Sequence, residues 1–174
     1  MGATGDGETA AMKTPTTTER ASDRELVVTR RFNGPARLVF DAWTKPELFK
    51  RWWAPKSFGL TMQSCEMDVR VGGTYKLVFS HAAFPEPMTF VGRYIEVTPH
   101  SRLVWTNEEA GAEQITTVTF EETDGKTLLV MHDLYPSKEA LDAAIASGST
   151  SGADETFGQL DELLVSLGAS VGRP

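Results

Sequence analysis

Between Leu60 and Asp133 six strand-sized segments follow one another, each closed by a turn signal, and an amphipathic helix comes after them. This succession narrows the available folds more than any other feature of the chain. Leu60 to Met67 ends before Val71-Gly72-Gly73, and the next segment puts Tyr75, Leu77 and Phe79 on one face with Lys76 and Val78 on the other. Met88 to Val97 closes at Thr98-Pro99-His100, and Ser101 to Asn107 carries Leu103 and Trp105 on one face. Gln114 to Glu122 alternates into the hairpin signal Thr123-Asp124-Gly125-Lys126, and Lys126 to Asp133 completes the run. Period-two alternation joined by short turns predicts an antiparallel meander with one dry face. From about Asp154 the period changes, and Phe157, Leu160, Leu164 and Leu167 fall on one helical stripe. Such a stripe must be buried, and the only partner large enough is the concave face of a curved sheet.

Ahead of the meander, Glu25 to Phe32 is β-branched and partly alternating, then stops at Asn33-Gly34-Pro35. Leu38, Val39, Ala42 and Trp43 recur at helical spacing. Pro46 opens a second short helix, predicted over Glu47 to Trp52 or Trp53 and ended by Pro55, because the residue before a proline avoids the α region. Near the other end, Ser137 is the expected N-cap for Lys138 to Ala146, and Gly148 to Gly152 breaks the run. The predicted fold is α+β in the order β-α-α-β6-α. Residues 1–22, with few large apolar side chains, are expected to be a disordered tail; 23–168 form one domain, and 169–174 a flexible C-terminus. Gly2 and Gly7 have phosphate-loop spacing, but Glu8 stands where the lysine belongs and no strand precedes. The start also fails the myristoylation pattern, with Asp6 at the Ser/Thr position.

Charge removes one class of function. The net charge of −7 and pI near 5.0 oppose a nucleic-acid surface, since phosphate affinity comes from clustered Lys and Arg. No apolar run approaches the roughly 18 residues that span a bilayer, so no membrane span is expected. Cys65 is the single cysteine, which excludes a disulfide framework within the chain, and a cytoplasmic location is the default expectation.

No catalytic constellation is legible. His81, His100 and His132 lie far apart and outside any HxxxH or HExxH spacing, so no metal and no cofactor is expected. Cys65 reads as a small core residue, and there is no Gly-x-Ser-x-Gly elbow. Asp68 and Arg70 read as a local ion pair beside a glycine turn, with Arg93 as an alternative partner. Glu108, Glu109, Glu121 and Glu122 read as solvated hairpin edge.

Several spaced motifs carry a resemblance. They are Gly34-Pro35-Ala36-Arg37-Leu38-Val39-Phe40-Asp41-Ala42-Trp43, Arg51-Trp52-Trp53-Ala54-Pro55 and Asp68-Val69-Arg70-Val71-Gly72-Gly73-Thr74-Tyr75. Further on come Gly92 to Pro99, Arg102-Leu103-Val104-Trp105-Thr106 and Thr156 to Leu164. In this order they resemble the activator of Hsp90 ATPase homologue family, within the START-like (SRPBCC) superfamily of helix-grip folds. The likeness spans about residues 24–167. It implies a curved antiparallel sheet wrapped around the C-terminal helix. One departure is Thr156-Phe157, where the family has Gly-Trp, which implies a roomier or repacked cavity there. The eukaryotic co-chaperone adds a second, chaperone-binding domain, for which this chain has no room.

The residues proposed to line a cavity are Trp43, Trp53, Phe58, Tyr75, Leu77, Phe79, Met88, Phe90, Trp105, Met131, His132, Phe157 and Leu160. Together they exceed the needs of a small solid core, and ligand sites are mainly apolar concavities with a few polar groups. Tyr75, Tyr94, Arg93 and His132 are the candidates for those polar groups. Of the adjacent Trp52 and Trp53, one is expected to seal the core and the other, Trp53, to close one end of the cavity. Three functions stay open at this point: binding of a small apolar molecule, interaction with a chaperone or other protein partner, and a polyketide-cyclase-like enzyme. The sheet edges and Phe84 are the surfaces on which a homodimer would be expected to form.

Overall fold

Alternating β-branched and aromatic side chains produce one sheet of eight antiparallel strands in the computed structural model, which describes residues 16–54, 56–108, 113–147 and 152–167. The strands are β1 (Thr17–Arg20), β2 (Glu25–Phe32), β3 (Thr61–Met67), β4 (Thr74–Ser80), β5 (Met88–Thr98), β6 (Arg102–Asn107), β7 (Gln114–Thr123) and β8 (Lys126–Leu134). Their spatial order is β1-β2-β8-β7-β6-β5-β4-β3, so the meander folds back until β8 lies beside β2. The β7–β8 hairpin has the expected two-residue turn, with Asp124 and Gly125 at φ 55° and 78°.

The strand Thr17–Arg20 lies inside the segment expected to be disordered. All four residues are exposed, so nothing in their side chains betrays them; the order comes from backbone pairing onto β2, from Thr17↔Thr29 to Arg20↔Leu26. Residues 1–15 and 168–174, which include most of that tail and the expected flexible C-terminus, lie outside the described residues.

Four helices accompany the sheet: α1 (Ala36–Thr44), α2 (Pro46–Phe49), α3 (Lys138–Ala146) and α4 (Ala153–Ser166). The first free amide of α1, Ala36 N–H, donates to Glu122 Oε1 at 2.8 Å. Glu122 therefore caps a helix rather than merely facing solvent, and its charge suits the positive end of the helix dipole. Ser137 Oγ caps α3 as expected, accepting from Ala140 N–H at 3.0 Å. Helix α2 is shorter than expected because the chain tightens after Phe49, with Arg51 N–H bonding back to Leu48 O at 3.0 Å and Trp52 N–H to Phe49 O at 3.3 Å. That tightening accompanies a Trp52 indole N–H bond to Ala42 O at 2.9 Å.

Helix α4 buries Phe157, Leu160, Leu163 and Leu164. Leu167, expected on the same stripe, sits at the C-cap past the last helical turn and is 37% exposed, while Leu163 widens the buried stripe beside Leu160 and Leu164. Arg30, buried on β2, pairs with Asp161 on α4 and lies 5.5 Å from the Phe32 ring centroid, fixing helix to sheet.

Candidate ligand cavity

The concave face of the sheet meets α4 through Phe157, which packs edge-on against Phe32 at 5.6 Å. Helices α1 and α2 and the turn after them close one side with an aromatic cluster. Trp43 lies 4.8 Å from Trp52 and 5.6 Å from Trp53, centroid to centroid, and Phe49 stacks on Trp53 at 4.7 Å. Trp52 is fully buried, whereas Trp53 is half-buried and turns one side to a cavity of about 390 Å³ between sheet and helices. Trp43 Nε1 is buried without a hydrogen-bond acceptor inside this cage of rings.

The segment that carries Trp52 and Trp53 is clasped to α4. Gln159 Nε2 donates to Trp52 O at 2.9 Å and to Ala54 O at 3.0 Å, and its Oε1 accepts from Lys56 N–H at 2.9 Å. Ser57 Oγ donates to Glu155 Oε1 at 2.5 Å and Ser57 N–H to Glu155 Oε2 at 2.9 Å, and these bonds, the hydroxyl's foremost, hold the Glu155 carboxyl below its ordinary range. A 3₁₀ turn at Lys56–Phe58 follows, and Phe58, 40% exposed, lines the cavity from its solvent side.

The structure brings most of the proposed lining residues together. Trp43, Trp53, Phe58, Tyr75, Leu77, Phe79, Met88, Phe90, Trp105, Met131 and Phe157 all face the cavity. Leu160 does not; it is fully buried in the packing between α4 and the sheet. His132 does not either. Successive residues on a strand point to opposite faces, so Met131 and His132 cannot share one. His132 lies on the outer face, 2.8 Å from Glu25 Oε2, while Asp133 turns inward. Arg93, another polar candidate, points outward to Glu108 and Glu113. Asp68 and Arg70 pair locally at 2.9 Å. Cys65 is half-buried rather than fully in the core; burial pushes its thiol up to about 11, so it stays protonated at neutral pH. Among the described residues no group of three or more His, Cys, Asp or Glu is placed to hold a metal.

The polar groups of the cavity are mostly ones that spacing did not single out. They gather at the rim formed by the end of β6, the start of β7 and the end of β8. Tyr75 Oη lies 2.7 Å from Thr106 O and 2.6 Å from Asn107 Oδ1, sharing its one proton between them. Asn107 Nδ2 donates to Thr116 Oγ1 at 3.2 Å, and Thr116 Oγ1 donates to Asp133 Oδ1 at 2.6 Å. The Gln114 side chain lies beside Asp133 and Tyr135 and tempers the rise of both groups. Asp133 is 8% exposed, and desolvation raises its carboxyl above the ordinary range despite these bonds. Burial likewise pushes the Tyr135 hydroxyl up to about 12 and raises that of Tyr94. Tyr75 reaches this rim because β5 has no side chain at Gly92: a Cβ there would stand 1.8 Å from Thr106 O and 2.7 Å from Tyr75 Oη.

A curved antiparallel sheet gripping a C-terminal helix over an apolar cavity defines a helix-grip domain of START-like architecture. The family model described as activator of Hsp90 ATPase homolog 1-like protein matches residues 33–165, and the chain belongs to that family. Among solved structures, a Rhodobacter sphaeroides protein is 25% identical and superposes with a TM-score of 0.80 over 88% of this chain and 99% of its own. A Nitrosomonas europaea protein is 24% identical with a TM-score of 0.75, over 83% of this chain and 96% of that one. An Aeromonas hydrophila protein, itself described as AHSA1-like, is 17% identical with a TM-score of 0.64, over 82% of this chain and 94% of that one. No curated protein matches the chain. The expected family and fold class therefore stand, and no helix among the described residues is long and apolar enough to cross a membrane.

Proposed function

We propose that this protein binds a small, largely apolar molecule in the cavity between sheet and α4. The observation that carries the reading is the cavity itself. Its volume of about 390 Å³ falls in the range of small-molecule sites, and its walls are aromatic and aliphatic with polar groups at one rim. Water filling that space, at roughly 30 Å³ per molecule, would find few partners along the apolar walls. A ligand that displaces it gains about 0.8 kcal/mol per buried methylene.

Native mass spectrometry of freshly purified protein tests the reading. A small-molecule adduct that survives gentle ionisation and is released on denaturation supports it. A homologous series of 1-alkanols adds a second readout. Affinity is expected to rise about fourfold per methylene until the cavity is full, then to stop rising. A surface patch would give no such cut-off. Phe157→Trp, which puts a larger ring where the cavity is lined, is expected to shorten the longest alkanol accommodated and to weaken binding several-fold. An unchanged cut-off would remove Phe157 from the binding wall. No observation in the structure favours a chaperone-modulating surface or a cyclase-type reaction over this reading.

A further inference from the structure

The polar rim has a sign, and that sign selects the ligand. Among the described residues that line the cavity there is no Lys, Arg or His, and Asp133 is the one carboxylic acid. The hydrogen bonds around it run in one direction. The Asn107 amide donates to Thr116 Oγ1, and the Thr116 hydroxyl donates to Asp133 Oδ1. The Tyr75 hydroxyl is committed to Thr106 O and Asn107 Oδ1. The chain thus ends on a buried carboxyl oxygen at the cavity wall, an acceptor with no cation beside it on that wall. A carboxylate, phosphate or sulfate head group would lose its hydration on entering an apolar wall that offers no counter-charge. A hydroxyl, amide N–H or ammonium would instead offset the desolvation of Asp133.

We propose that the ligand carries an uncharged or cationic hydrogen-bond-donating head group that docks on Asp133, and that anionic amphiphiles such as fatty-acid carboxylates are excluded. This rests on the cavity being a ligand site and goes beyond it by naming the head-group chemistry. The aromatic cage of Trp53, Phe58, Phe79, Phe90 and Trp105 then takes the apolar body.

The test uses three probes with one tail, 1-decanol, decylamine and decanoate, titrated into the full chain by calorimetry at neutral pH and about 0.15 M salt, where the Debye length is about 8 Å and the protein's overall charge is screened. Decanol and decylamine are expected to bind at least tenfold more tightly than decanoate. In Asp133→Asn, which keeps the shape but supplies a donor, the decylamine preference is expected to collapse and decanoate to gain. The ranking in the unaltered protein needs no variant, so a folding defect in Asp133→Asn leaves the test intact. Equal affinities, or decanoate the tightest, overturn the head-group assignment while leaving the cavity as a ligand site. Binding by none of the three overturns both.

Discussion

Asp133 and His132 are neighbours in sequence with opposite fates. Strand parity sends one into the cavity and the other to Glu25, and parity is set by register, which is a tertiary property. The expected cavity set holds His132 and omits Asp133, whose residue type is seldom buried. The one available signal was that Met131, already placed inward, fixes 133 on the same face. Burial of Asp133 has a pH consequence. Its folded-state pKa is raised above the ordinary 3.8, so the folded protein holds this proton more tightly than the unfolded chain does. Its contribution to stability is therefore greatest below that value and declines as pH rises towards the folded pKa. Glu25 on the outer face has a lowered pKa, set mainly by its bond to the His132 side chain, and a difference between two proteins that share this pair cancels its effect. Urea unfolding of the wild type and Asp133→Asn from about pH 4 to pH 8 is expected to show the variant gaining stability relative to the wild type with rising pH. A pH-independent difference would contradict the buried setting of the carboxyl. At Gly92 the expectation is larger. Gly92→Ala places a Cβ 1.8 Å from Thr106 O and is expected to destabilise by about 2 kcal/mol or more, read as a lower urea midpoint with Tyr75 displaced from Asn107.

At the scale of elements, the strands from β3 to β8 and the helix α4 were legible because each carries its period in its own side chains, and their turns carry glycine, proline or Asx signals. Strand β1 was not, since its order comes from the exposed edge of β2 and leaves no mark on Thr17 to Arg20. The short reach of α2 was not legible either. Pro55 suggested a later stop, whereas the chain tightens after Phe49 and the Trp52 carbonyl is taken by Gln159 on α4. Gln159 reads as an ordinary polar position in an amphipathic helix, yet it is buried and serves three backbone groups between Trp52 and Lys56. Gln159→Leu would leave those groups unpaired and is expected to lower stability by about 1–3 kcal/mol. Amide exchange should also speed up selectively around Trp52 to Phe58. Uniform acceleration across the chain would show that the clasp does no more than support the global fold.

For the whole molecule, the aromatic and methionine set pointed to an enclosed cavity because it comes from nearly every element that faces the inside. Eleven of the thirteen residues expected there lie along the cavity, all but His132 and Leu160. Its polar rim was hidden, because Asn107, Gln114, Thr116 and Asp133 are brought side by side only by the pairing of β6, β7 and β8. The proposed function stands on the claim that the space under α4 holds the ligand. The most direct measurement is intermolecular NOEs between bound 1-decanol and the isotopically labelled protein. Contacts are expected from the alkyl chain to Phe90, Trp105 and Met131, and from the hydroxyl-bearing carbon to Thr116. Contacts confined to outward residues such as Phe84, Val91 and Ile95, with none inside, would contradict the claim.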